Sequence, residues 1–282
     1  MSKIVESKKK KSFAAPSTAE TAVVEKVEEV SGDMFATFMV ELPSLGKVYP
    51  KGHPLAGKEE IEMRHMTARE EDILTSPTLL RSGKAINKVL QSCVVSKVNV
   101  DSLLVGDRNA LLLAMRISGY GPDYKISLTS ESTGEQFEHT FDLTDVEYAS
   151  LKTEPAEANQ NLFETTLPVT QAQVLFKLLT VANEATLMAE QDKLKKITHI
   201  EKGVTTRLKA QIVSVDGDTD LLHIKKFVEN MPVRDSRHFR TVYLETMPDV
   251  DMTQWVTDPT SGEEVKVDIP VGVEFLWPSA EG

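Results

Sequence analysis

The sequence predicts an α+β protein of two lobes, each made of packed helices with a β-hairpin, behind a disordered N-terminal arm. Three observations carry this expectation. Apolar residues recur at helical spacing in both halves, as in Ala85, Ile86, Val89, Leu90 and Cys93 and again in Leu175, Phe176, Leu179, Ala182 and Leu187. Each half also holds two short alternating runs around a turn, at Ser132-Thr133-Gly134 and at Pro259-Thr260-Ser261-Gly262. Between the halves, residues 151–163 are rich in Ala, Glu, Asn and Gln and read as a linker.

The elements follow in order. Residues 1–33 carry the basic block Lys8 to Lys11, then Ala, Ser, Thr, Pro and Glu. With six Lys against five Glu and one Asp the arm is neutral, and it lacks aromatic anchors apart from Phe13. Residues 34–150 form the first lobe. Phe35 to Leu42 has strand composition, Pro43 to Gly46 turns the chain, and Val48 to Leu55 is extended. Glu60 to Met66 alternates polar and apolar, as a half-buried strand does. Thr67-Ala68-Arg69-Glu70 is a capping box, with Glu71 and Asp72 suited to a helix N-terminus. Pro77 interrupts, and the helix of Ala85 to Cys93 follows. Asp101 to Leu104 reads as a short helix. Asp107 is expected to cap the helix bearing Leu111, Leu112, Leu113, Met115 and Ile117. Tyr124 to Leu128 pairs with Phe137 to Phe141.

Residues 164–282 form the second lobe. Thr170-Gln171-Ala172-Gln173 reads as another capping box, opening a long helix through Leu175 to about Ile197. Leu208 to Val215 is apolar. Asp218-Thr219 and Asp235-Ser236 are expected to start two further helices, the second stopped by Pro248. Thr253 to Val256 pairs with Glu264 to Asp268, and Phe275-Leu276-Trp277-Pro278 is a terminal apolar patch.

Composition narrows the function. Of 282 residues, 40% are hydrophobic, enough for a core. The net charge of −11, from 32 Lys and Arg against 43 Asp and Glu, argues against a general nucleic-acid-binding surface. A lone cysteine, Cys93, excludes an intrachain disulfide and a multi-thiolate metal site and fits a reducing cytoplasm. On its apolar helical face it reads as a buried small hydrophobe. No apolar run reaches the length of a bilayer span, and none follows the lysines of Met1 to Lys11, so neither membrane anchor nor secretory signal is expected.

Catalytic patterns are scarce. The six histidines form neither HxH nor HExxH, and no GxxxxGK[ST] or GxSxG occurs. One stretch, Ile212 to Asp220, is an apolar run followed by DxDxT. It resembles the first motif of haloacid-dehalogenase-type phosphatases, with Asp216 as nucleophile and Asp218 beside it. It also opens like a calcium loop, but Leu221 and Phe227 stand where Gly and Glu are needed. The favoured reading is a turn capping the next helix; the phosphatase is the alternative from another class.

Taken together, several segments carry a family likeness. They are Leu42 to Pro50, Met66 to Thr75, Gly83 to Ile86, Leu103 to Arg108 and Arg116 to Tyr124. In the second half, Phe176 to Thr180 with Asn183-Glu184, Asp235 to Arg237, and Ile269-Pro270 through Phe275 to Pro278 continue it. From about residue 38 to 278 this ordered set resembles the T-even-type phage baseplate hub family, the hub subunits or hub-assembly proteins of contractile-tailed myoviruses. The resemblance implies a baseplate hub component or assembly factor that binds other hub and tail proteins, with no catalysis, cofactor, small-molecule substrate or membrane. An assembly chaperone absent from the mature virion is the alternative. It implies the host cytoplasm during assembly and, for a retained component, the tail baseplate of the virion. Many relatives carry CxxC pairs at the two hairpins. Here Leu128 to Gly134 and Val256 to Gly262 keep the turn glycines without thiolates, so the knuckles are degenerate and no metal is expected. Tyr120, Tyr124, Phe275, Leu276 and Trp277 are the candidate partner-binding residues, since aromatics anchor interfaces. The other reading of the terminal patch is a strand closing the chain's own core.

Overall fold

In the computed structural model, which describes residues 36–198 and 203–277, the chain opens with two antiparallel strands. The arm expected at 1–33 lies outside the described residues. Strand β1 (Thr37–Glu41) pairs with β2 (Glu60–Arg64), setting Val40 against Ile61 and Phe38 against Met63. The period-two pattern buries Val40, Ile61 and Met63 on one face. Helix α1 (Ala68–Leu74) starts where the capping box predicts: the Glu70 carboxylate reaches back to the Thr67 N–H at 2.8 Å. It also accepts from Arg64 at 2.7 Å and from the Ser92 hydroxyl at 3.0 Å, so one buried carboxylate ties β2 and α1 to the segment of Ser92. Helix α2 (Pro77–Arg81) takes Pro77 at its first position, where no N–H is needed. Helix α3 (Ala85–Cys93) buries Ala85, Val89, Leu90 and Cys93, the stripe read from the sequence.

Helix α4 (Val105–Tyr120) is the central element. Ala110, Leu111, Leu112, Leu113 and Met115 are all buried, so it is covered on most sides. The expected N-cap is corrected here. The helix begins at Val105 and Asp107 lies inside its first turn. That carboxylate turns away from the helix end and accepts from the Ser44 N–H at 2.9 Å and the Tyr49 hydroxyl at 2.5 Å. Gly106 lets another backbone approach: a Cβ there would sit 1.9 Å from the Pro248 carbonyl oxygen.

Strands β3 (Asp123–Thr129) and β4 (Gln136–Asp142) form the first hairpin as predicted. The short β5 (Glu147–Ala149) follows. Strands β6 (Phe163–Thr166) and β7 (Gln173–Phe176) then replace the expected start of a long helix, which begins only at α5 (Val181–Thr198). The reason is alternation: Val174 and Phe176 are buried while Gln173 is exposed, and β7 is hydrogen-bonded on both sides. Thr170 caps nothing; its N–H and hydroxyl both donate to Asp235.

Helix α6 (Gly203–Gln211) runs directly into β8 (Ile212–Val215), the third strand of the antiparallel β6-β7-β8 sheet. Helices α7 (Leu221–Asn230) and α8 (Val233–Thr246) follow. Asp220 caps α7, and α8 begins before Asp235. Asp235 instead accepts from the Val169 and Thr170 N–H groups at 2.7 and 3.0 Å, bolting α8 to the β6–β7 connection. Between sheet and α8, Phe163 stacks on Phe176 at 5.7 Å between centroids, and Phe239 meets Phe176 edge-on at 5.3 Å. Burying each ring contributes about 1.5–3 kcal/mol. Strand β9 (Asp249–Asp251) pairs with β5, β10 (Thr253–Thr257) with β11 (Glu264–Asp268), and α9 (Val273–Leu276) ends the described chain.

The result is a mixed α+β fold with small antiparallel sheets. Buried side chains from both halves join one cluster, and Val181 N–H donates to the Leu103 carbonyl at 2.9 Å across them. No helix among the described residues is long and apolar enough to cross a membrane.

Candidate functional site

The terminal patch folds inward. Phe275 and Leu276 are fully buried on a short helix, and Phe275 meets the edge of Tyr124 at 5.1 Å. Tyr124 is itself buried, so of the candidate residues only Tyr120 and Trp277 stay half-exposed. Arg116 organises the cluster. It is buried, with its guanidinium 5.3 Å from the Tyr120 ring and 5.5 Å from the Tyr124 ring. It donates to the Gly121 and Asp123 carbonyls, both at 2.9 Å, joining the end of α4 to the start of β3. Burial lowers its pKa, opposed by the neighbouring Tyr124, Tyr120 and Asp123 side chains.

The two hairpin tips meet. Residues 130–135 and 258–263 form turns with the same backbone bonds. Ser130 N–H donates to the Glu135 carbonyl and Gly134 N–H to the Ser130 carbonyl; Asp258 N–H donates to the Glu263 carbonyl and Gly262 N–H to the Asp258 carbonyl. The Thr133 and Thr260 hydroxyls lie 2.9 Å apart, one tip against the other. Ser130 and Asp258 are buried, which is unusual for turn residues. The Ser130 hydroxyl contributes most to holding the Asp258 carboxyl well below the usual carboxylate range. The polar residues that precede the turn glycines Gly134 and Gly262 include Ser130, Thr133, Asp258 and Ser261. Three hydroxyls and one carboxylate do not fit structural zinc, which takes thiolate and imidazole. Among the described residues no His, Cys, Asp and Glu group could hold a metal ion. A polar clasp joins the tips instead.

Other chemistry-bearing groups serve local structure. Asp216 sits in a turn at φ 50° and accepts the Gln173 N–H at 2.8 Å. Asp218 accepts the Asp220 N–H at 2.8 Å, and Asp220 in turn caps α7. Strand β8, which leads to them, lies in an antiparallel sheet. Cys93 is fully buried, and burial pushes its thiol up to about 11. A cleft of about 440 Å³ holds a pair invisible in the sequence, His53 and Ser102. His53 Nδ1 accepts the Leu55 N–H at 3.2 Å, so Nε2 carries the proton and donates to Ser102 Oγ at 2.9 Å. Ser102 Oγ donates onward to the Asn99 carbonyl at 2.6 Å. This tautomer cannot take a proton from Ser102, and burial lowers the pKa of His53 further.

Large apolar side chains are exposed elsewhere: Leu221 at 81%, Val233 at 82%, Trp255 at 68% and Leu244 at 65%. Sequence reading missed them because each shares its helix or strand with core residues, as Leu221 does with Ile224 and Val228 and Trp255 with Val256. The model of a protein family described as T4 bacteriophage base plate protein matches residues 34–277. No curated protein and no solved structure matches the chain.

Proposed function

The chain belongs to the T4 bacteriophage base plate protein family, and from that premise we propose that it is a component or assembly factor of the baseplate hub. It works by binding other hub and tail proteins, without catalysis. The match over residues 34–277 carries this reading, because it spans nearly the whole body rather than one motif. Two features of the molecule support it. Asp216, Asp218 and the His53–Ser102 pair are held in local hydrogen bonds, and large apolar side chains stand exposed on several elements, as interface anchors do.

The test is co-purification from infected cells with the tagged chain as bait, read by mass spectrometry, with purified particles analysed alongside. Hub or tail proteins on the bait support the reading, and their complete absence overturns it. Presence in purified particles marks a retained component. Absence from particles, with hub proteins still on the bait, marks the assembly chaperone.

A further inference from the structure

Helices α6 and α8 flank an open groove of about 370 Å³. From α6 it is lined at the i, i+3, i+4 and i+7 positions counted from Val204, from α8 at i, i+3 and i+4 counted from Arg240 with Met247 just past the helix end, and from α5 by Gln191. Two helical stripes therefore face one space. Leu208 and Met247 lie in its lining, and Val204 and Leu244 stand 48% and 65% exposed beside them. Each stripe spans about 10 Å, or two helical turns. Each also carries one arginine. Arg207 pairs at 3.4 Å with Glu184, an exposed contact, and Arg240 bonds only the Ser236 carbonyl among the described residues. On a chain of net charge −11, the charged residues lining this groove are two arginines, of which Arg240 carries no carboxylate partner among the described residues.

We propose that this groove receives an amphipathic, acidic α-helix of another baseplate protein. Two turns of its apolar side chains fill the space between Val204, Leu208, Leu244 and Met247, packing against α6 and α8. Asp or Glu on its flanks face Arg207 and Arg240. The proposal deepens the assembly reading and rests on it.

The experiment places a photo-cross-linker in the full-length chain during phage assembly, as Leu244→p-benzoylphenylalanine. Trp255→p-benzoylphenylalanine, on the β10–β11 hairpin, serves as comparison. Leu244 is mostly exposed, so the replacement leaves the fold intact, which a melting curve checks. Mass spectrometry of the position-244 product is expected to give a segment of a different baseplate protein, with apolar residues at i, i+3 or i+4, and i+7 and acidic neighbours. Adding Arg207→Glu and Arg240→Glu is expected to reduce that product about tenfold, the effect of about 1.4 kcal/mol of charge pairing. A product from a basic or extended segment, or from a second copy of this chain, overturns the proposal. So does a blank at 244 while position 255 captures baseplate proteins, an outcome that leaves the assembly reading standing. Blanks at both positions overturn it too, and the bait co-purification then decides whether the assembly reading falls with it.

Discussion

Replacing Asp107 with alanine removes the shared acceptor of a network sealed from water. The carboxylate is 0% exposed and takes the Ser44 N–H at 2.9 Å, the Ser44 hydroxyl at 2.6 Å and the Tyr49 hydroxyl at 2.5 Å. Tyr49 in turn accepts the Leu104 N–H at 3.1 Å, so the network links the 43–49 turn to the start of α4. Each buried donor left without a partner costs about 1–3 kcal/mol. They share one site and relax together, so the loss is nearer about 3–5 kcal/mol than the simple sum of three such costs. For a chain of this size about 1 kcal/mol shifts the melting temperature by roughly 2–4 °C, giving a drop of roughly 6–20 °C. Asp107→Asn keeps the shape and one oxygen but turns an amide donor toward a donor, and costs about 1–3 kcal/mol. Thermal melts followed by circular dichroism compare these with Tyr49→Phe and with the Asp107→Ala/Tyr49→Phe double variant. The double variant is expected to cost less than the sum of the two single variants, because both remove the Tyr49–Asp107 bond, but more than Asp107→Ala, because Tyr49→Phe also leaves the Leu104 N–H without its acceptor. Burial raises the Asp107 pKa in the folded state, so its contribution is fullest below the unfolded value and declines as pH rises through the folded one. An Asp107→Ala protein that melts within roughly 2 °C of the wild type would refute the reasoning, since that corresponds to about 1 kcal/mol or less.

Three further outcomes follow from the same geometry. Gly106→Ala drives a Cβ to 1.9 Å from the Pro248 carbonyl oxygen and 2.8 Å from Asp249 Cα, and is expected to cost about 3 kcal/mol or more; unchanged melting would contradict the close α4–β9 approach. Burial alone would raise the Glu70 pKa, but Arg64 and the Thr67 and Ser92 donors outweigh it and hold the carboxyl at about 2. Wild-type stability should therefore be lost as pH falls from the unfolded value toward 2, and Glu70→Gln, already weaker at neutral pH by about 1–3 kcal/mol, should show a flatter melt-versus-pH curve. Asp258→Ala with Thr133→Val should speed amide hydrogen exchange at residues 128–135 and 256–263 without changing α3, while EDTA leaves the wild-type melt unaltered; a chelator-induced drop would contradict the metal-free clasp.

What the sequence makes legible is what local period controls. The alternation in Glu60 to Met66 and in both hairpins marks strands because one face of each is buried, and α3 runs from Ala85 to Cys93 as its apolar spacing predicts. The failures are non-local. Leu175, Phe176, Leu179 and Ala182 fit a helical period, yet β7 forms because β6 and β8 offer partners from distant segments. Asp107 and Asp235 carry the cap signature of an Asp before an apolar run. Their carboxylates instead serve donors 63 and 66 residues away in sequence. The candidate partner-binding cluster shows the same limit: aromatic content flags Phe275 and Tyr124, but only tertiary packing reveals that they cover each other. The α6 stripe is half polar, so it gives no amphipathic signal until α8 stands opposite.

The most direct measurement on the assembly role is an infection in which this gene carries an early stop codon, with lysates viewed by electron microscopy and scored for infectious particles. The expected result is a collapse in infectious yield with tails lacking complete baseplates, restored by a plasmid copy of the full chain. Normal baseplates and an undiminished yield without the protein would contradict the role proposed for it.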